Sequence, residues 1–267
     1  MRVKSKEIEL AYDEIGTGPA VLLIHGFPLN RQMWQPQLNA VAQAGFRAIA
    51  FDLPGFGESE LPSATPTIDS FADYTVGLME ALGIEKAAIA GMSMGGYILQ
   101  NLLERYPQRI AAACFIATKS AADDEAGKAR RTALATEAER LGSNPITKLF
   151  AELLFAPDTV ETNPHLVAQV ISWMRATDPK AVAGGLLAMR DRKDYTPLLP
   201  GFQQPTAFIG GAEDRAGSPH SGEVFQKGLP DCLGITVIEK AGHMVNMERP
   251  DVFNRALIAF LHGANLV

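Results

Sequence analysis

A serine flanked by glycines, Gly91-Met92-Ser93-Met94-Gly95-Gly96, stands between two segments of different periodicity. Before it, Lys86-Ala87-Ala88-Ile89-Ala90 is a mostly apolar run of strand length. After it, Tyr97 to Tyr106 has the spacing of an amphipathic helix and is stopped by Pro107. At such a strand-to-helix turn a serine is held in a strained backbone that lifts its hydroxyl clear of the sheet. The glycines are needed because side chains there would collide with the neighbouring strand or helix. The helix N-terminus aims free amide hydrogens, and the positive end of its dipole, at whatever lies above Ser93. Ser93 is therefore a candidate nucleophile.

A nucleophilic serine needs a base, the base needs an orienting acid, and the oxyanion formed in the reaction needs donors. Ala241-Gly242-His243-Met244 follows the strand-like run Ile235 to Glu239, which puts His243 on a loop at a strand end. Gly210-Gly211-Ala212-Glu213-Asp214 follows the apolar run Pro205 to Ile209, so Asp214 also lies just past a strand. Glu213, Asp231 and Glu239 compete with Asp214 for the role of acid. Val21-Leu22-Leu23-Ile24 runs into His25-Gly26-Phe27-Pro28, a tight turn able to bring a backbone N–H near the serine. Candidates in the order Ser, Asp, His, each after an apolar strand, form a far more specific signal together than any one does alone.

The elements needed to hold these groups alternate along the chain. Strands are expected at Arg2–Leu10, Ala20–His25, Arg47–Asp52, Lys86–Gly91, Ile110–Thr118, Pro205–Gly210 and Gly234–Glu239. Helices are expected at Trp34–Ala44, Ile68–Leu82, Met94–Tyr106, Ser218–Lys227 and Asp251–Leu261. Alternation of this kind gives an α/β fold, a mostly parallel sheet with helices on both faces. It breaks between residues 119 and 199, where four helical segments follow one another: Asp123–Leu141, Ile146–Phe155, Pro164–Ala176 and Pro179–Asp191. The expected organisation is a core of residues 1–118 and 200–267 with residues 119–199 inserted as a helical lid. Such a lid would cover the carboxyl ends of the strands, where ligands of open α/β sheets bind. The charges of its first helix read as a solvated face.

These motifs together resemble the α/β-hydrolase superfamily from Glu7 to about Leu261. Besides the serine elbow, the resemblance rests on His25-Gly26-Phe27-Pro28, on Asp52-Leu53-Pro54-Gly55-Phe56-Gly57-Glu58-Ser59, and on Gly242-His243 ahead of Glu248-Arg249-Pro250. It implies Ser93 as nucleophile, Asp214 as acid and His243 as base, with an oxyanion hole built from the amides of Phe27 and Met94. Phe27, Met94 and the stretch Trp173 to Pro179 are similar to cofactor-free esterases, 3-oxoadipate enol-lactonase-like hydrolases and non-haem haloperoxidase or perhydrolase relatives. The chain departs from the family pattern after Asp214, where Arg215-Ala216-Gly217-Ser218-Pro219 replaces a frequent Thr-Pro.

Composition suits such an enzyme. With 267 residues, 47% hydrophobic, the chain can bury a large core. A net charge of −6 supplies no basic surface for nucleic acid or anionic membrane. No apolar run approaches the roughly 20 residues needed to span a bilayer, and the N-terminus lacks a signal-peptide segment, so a cytoplasmic location is expected. Cys114 and Cys232 form no disulfide framework. His165, His220 and His262 lack metal-ligand spacing. His25 reads as a buttress of its turn, and Asp52 as a turn residue.

The expected chemistry is hydrolysis of small carboxylic esters or lactones through an acyl-enzyme on Ser93, with neither cofactor nor metal. Leu154, Phe155, Trp173, Met174 and Met244 are candidate substrate contacts, and Arg175 and Arg190 candidates for a substrate carboxylate. Two rivals share the sequence: perhydrolysis by the same three groups, and a slow-turnover ligand sensor whose lid signals to a protein partner.

Overall fold

A computed structural model describes every residue except Ser218, Pro219 and Val267. Eight strands form one sheet in the order β1-β2-β4-β3-β5-β6-β7-β8. They are β1 (Arg2–Ser5), β2 (Ile8–Ile15), β3 (Ala20–Ile24), β4 (Arg47–Phe51), β5 (Ala87–Met92), β6 (Ile110–Ile116), β7 (Thr206–Gly211) and β8 (Cys232–Ile238). The β1–β2 and β2–β4 pairs are antiparallel, and the remaining five pairs are parallel.

The central strands are apolar along their whole length because both faces of the sheet are covered. Their two-residue period divides the core. Leu22, Ile24, Ile49, Phe51, Ile89 and Phe115 pack on one face with α2 (Ile68–Ala81) and α3 (Met94–Arg105). Val21, Leu23, Ala48, Ala50, Ala90 and Cys114 pack on the other with α1 (Gln35–Gln43) and α11 (Pro250–Gly263). Near the end of the chain, α9 (Ser221–Gly228) precedes β8 and α10 (Val245–Glu248) precedes α11. Both cysteines are free. Among the described residues, no helix is long and apolar enough to cross a membrane.

Most expected elements are present with ends moved by one to three residues. One of these expectations differs more. The single strand expected over Arg2–Leu10 is a hairpin, because Lys6 adopts φ 54° and reverses the chain between β1 and β2. The first two residues of the helix expected over Ser218–Lys227 lie outside the described residues.

Between β6 and β7 five helices occur rather than four: α4 (Glu125–Leu141), α5 (Asn144–Leu154), α6 (Pro157–Thr162), α7 (Pro164–Ala176) and α8 (Pro179–Arg190). The extra one, α6, is six residues long, too short to show a hydrophobic period. Most charges of α4 face water, as expected, but Arg131 turns inward to Asp123; only Ala135 and Ala138 are fully buried. The two ends of the insertion are tied together. The Asp123 carboxylate accepts from Lys119 at 3.1 Å and Arg192 at 2.7 Å, and pairs with Arg131. Burial pushes the Asp123 carboxyl up, but these arginines outweigh it and hold the group below the ordinary carboxylate range.

A second buried pair fixes the turns at the carboxyl ends of β3 and β4. Asp52, fully enclosed, accepts from the Arg31 amide at 2.6 Å and the Glu58 amide at 2.8 Å, and pairs with the Arg31 guanidinium. Asp52 is thus the anchor of its loop, as its turn position implied. Its main partner lies 21 residues away, a separation that carries no local signal. Removing one member of a buried pair strands the other. Asp52→Ala is expected to lower unfolding stability by about 3–5 kcal/mol in urea titration; a loss below about 1 kcal/mol would contradict this account.

Candidate active site

Ser93 occupies the junction between β5 and α3 with φ 53° and ψ −112°, a region that non-glycine residues rarely adopt. Its amide donates to Ile116 O at 2.9 Å. Its carbonyl accepts from Thr118 Oγ1 at 2.8 Å and from the Gly96 amide at 2.9 Å. Gly95 is required for the closeness of α3 to β3, since a Cβ there would lie 2.4 Å from Ile24 O. The serine itself is half-buried. Among the described residues its hydroxyl has no hydrogen-bond partner.

His243 and Asp214 come together although 29 residues separate them. Asp214 follows β7 and His243 follows β8, neighbouring parallel strands whose ends point the same way as that of β5. Nδ1 of His243 lies 2.9 Å from Asp214 Oδ2 and 3.0 Å from Oδ1. A carboxylate only accepts, so Nδ1 carries the proton of this hydrogen bond. Both side chains are buried. Asp214 Oδ1 also accepts from the amides of Ala216 at 2.9 Å and Gly217 at 2.8 Å. Burial pushes the Asp214 carboxyl up, but His243 and those two amides hold it below the ordinary range. Arg215-Ala216-Gly217 thus supplies the hydrogen bonds that fix the acid. Glu213 is half-buried, and Asp231 and Glu239 are exposed; His243 Nδ1 bonds to Asp214 rather than to any of the three.

The turn after β3 runs beside Ser93: a Cβ on Gly26 would approach Ser93 Cβ to 3.3 Å. Phe27, in this turn, packs edge-on against Phe56 and Phe150. Its amide donates to no backbone carbonyl among the described residues. The Met94 amide, at the first position of α3, has no intrahelical acceptor. His25 buttresses the turn. Its Nε2 accepts from the Leu53 amide at 2.9 Å, so Nδ1 holds the proton and donates to Gly26 O at 2.8 Å. Burial lowers its pKa and keeps it neutral.

The proposed substrate contacts fare differently. Leu154, Phe155, Met174 and Met244 are at most 1% exposed and packed in the core under the inserted helices. A substrate would reach them only if those helices parted. Trp173 is half-buried and presents surface. Arg190 is committed to Asp191 at 2.7 Å. Arg175 lines a groove of about 1010 Å³ with Lys148, Ile171 and Arg215, and none of Ser93, Asp214 and His243 borders it. Among the described residues, no cluster of His, Cys, Asp and Glu could hold a metal ion. The residue that sequence reasoning quoted but gave no role is Glu248, whose carboxylate meets the amide of Gly242 beside His243.

Comparison with known proteins agrees with this architecture. Residues 19–250 match the family model described as alpha/beta hydrolase fold. The Mycobacterium tuberculosis protein named non-heme bromoperoxidase BpoC is 32% identical, over 95% of this chain and 97% of its own. The 3-oxoadipate enol-lactonase 2 of Acinetobacter baylyi is 26% identical, over 98% and 96%. A thermophilic esterase from Thermogutta terrifontis, solved with malate bound, superposes with a TM-score of 0.94 at 32% identity. That match covers 99% of this chain and 98% of the esterase.

The lowered Asp214 carboxyl has a stability consequence. A carboxyl whose pKa is depressed on folding contributes stability above its unfolded value, near about 3.9, and loses it as pH falls through the folded value. Asp214→Asn is therefore expected to show its full stability deficit at pH 7, and a smaller one at pH 3. Urea titration of both proteins at the two pH values reads this directly. A deficit that stayed constant or grew toward pH 3 would contradict it.

Proposed function

This chain belongs to the alpha/beta hydrolase fold family, and we propose that it hydrolyses small carboxylic esters or lactones through an acyl-enzyme on Ser93. The observation that carries the reading is the His243–Asp214 hydrogen bond past the carboxyl ends of β7 and β8, with Ser93 in a strained, positive-φ turn at the same end of the parallel strand β5. In the proposed reaction, Nε2 of His243 takes the Ser93 proton as Oγ attacks the carbonyl carbon. The amides of Phe27 and Met94 donate to the oxyanion, and His243 then returns the proton to the leaving alkoxide. A water deprotonated by His243 attacks the acyl carbon; His243 passes that proton to Ser93 Oγ as the acyl–oxygen bond breaks and the carboxylic acid leaves. Asp214 keeps the ring in the tautomer with Nε2 free. Serine acyl transfer of this kind needs no cofactor. Residues 119–199 are proposed as a cap over the site, with Trp173 its accessible candidate contact.

The similarity to a bromoperoxidase supports a second reading, in which hydrogen peroxide replaces water at the acyl-enzyme and a peracid leaves. Measuring peracid beside ester turnover separates the two. A purely ligand-sensing role draws no support from the relatives reported above.

Ser93→Ala is expected to reduce ester hydrolysis by at least about 10³-fold while leaving the thermal midpoint nearly unchanged, since it deletes one half-buried oxygen. Asp214→Asn is expected to cost about 10⁴ in kcat, on the scale of the serine-protease template, and Glu213→Gln little. Wild-type turnover in the alanine variant would overturn the mechanism. A severe Glu213→Gln with a mild Asp214→Asn would move the acid to Glu213.

A further inference from the structure

Glu248 ends α10, five residues beyond His243, and its side chain is buried. Its carboxylate joins two distant parts of the chain. Oε1 accepts from the Gly242 amide at 2.8 Å, on the loop that carries His243. Oε2 accepts from the Ala156 amide at 2.9 Å and from Thr159 Oγ1 at 2.6 Å, at the start of α6 and 92 and 89 residues away. A second cross-link runs alongside, from the Met244 amide to Leu154 O at 3.0 Å. The contact is close enough to require glycine at 242, where a Cβ would lie 2.6 Å from Ala156 N and 2.7 Å from Phe155 C. Arg215, next to Asp214, reaches the same junction by donating to Phe155 O at 3.1 Å. Both loops that carry the proposed base and acid are therefore fastened to the α5–α6 junction.

We propose that Glu248 is a positioning residue for His243, clamping the loop of the base to the α5–α6 junction so that Nε2 is held toward Ser93. The proposal rests on the reading of His243 as general base. Three donors converge on this side chain, and only an ionised carboxylate can accept from all of them with both oxygens. Glutamine offers one oxygen. Whichever way its amide turns, an NH₂ group faces a backbone N–H, that of Gly242 or of Ala156. Burial pushes the Glu248 carboxyl above the ordinary range, against hydrogen bonds from Thr159, Ala156 and Gly242 that favour the ion.

The test compares Glu248→Gln, Thr159→Val and His243→Ala with the wild type on p-nitrophenyl butyrate. Thermal midpoints, kcat and KM are recorded, along with the downfield proton resonance of the His243–Asp214 hydrogen bond. Glu248→Gln is expected to lower kcat by about 10- to 100-fold, the scale of a roughly 1 Å misplacement. KM stays within about twofold, the midpoint falls but the variant remains folded at the assay temperature, and the downfield resonance shifts or broadens. Thr159→Val removes one of the three donors, so it decides the matter if the glutamine variant does not fold. It is expected to lower kcat about threefold, with the resonance displaced in the same direction. Wild-type kcat and an unmoved resonance in the variants, with His243→Ala inactive, would overturn the role of Glu248 alone. So would activity lost only in proportion to unfolded protein. Turnover retained in His243→Ala would overturn His243 as the base, and the positioning role with it.

Discussion

The backbone of Ser93 is the constraint around which the rest of the structure is organised. A residue held at φ 53° and ψ −112° costs on the order of 1–3 kcal/mol and persists only where its surroundings leave it no alternative. Here β6 takes the Ser93 amide through Ile116 O, and Thr118 takes its carbonyl. The carbonyl ends of β3 press on Gly95 from the other side. Three parallel strands and one helix thus determine a single residue. It stands past the carboxyl end of the central strand β5, while the first amide of α3 is left without an acceptor.

Around this point three buried carboxylates are each held by several donors. Asp52 takes two backbone amides and a guanidinium, Asp214 takes two amides and an imidazole, and Glu248 takes two amides and a hydroxyl. In each case the acceptors of a carboxylate are matched by donors, at least one of them from a loop that follows a strand. Burying a charge is costly unless it is satisfied in this way. What the molecule gains is loop geometry: the turn of Phe27, the loop of Asp214 and the loop of His243 are each fixed by a carboxylate rather than by apolar packing. The apolar core beneath is divided by the sheet and supplies the rigidity against which these loops are set.

The parts visible in the sequence were those written locally. The apolar runs of β3, β5 and β6 and the helical period of α3 need only their own residues to be recognised. The glycines about Ser93 signalled the turn between them. The order of Ser93, Asp214 and His243 after successive strands was legible for the same reason. The break at Lys6 was not, because a lysine at positive φ carries no glycine or asparagine signal. The helix α6 was too short for a period to register. Long-range partnerships left no trace either: Arg31 with Asp52, and Glu248 with Ala156, are set by tertiary packing. The same limit explains Leu154, Phe155, Met174 and Met244. Their spacing identified apolar helix and loop faces, but only packing shows that those faces are sealed.

The central claim is a covalent acyl-enzyme on the hydroxyl of Ser93, and rapid-quench mass spectrometry of the intact protein tests it most directly. During turnover of p-nitrophenyl butyrate, the account predicts a transient population heavier by one butyryl group, with the added mass on the peptide that contains Ser93. Its decay should match the steady-state release of butyrate. Turnover with the acyl group carried on another residue, or with no covalent species formed at any time, would contradict it.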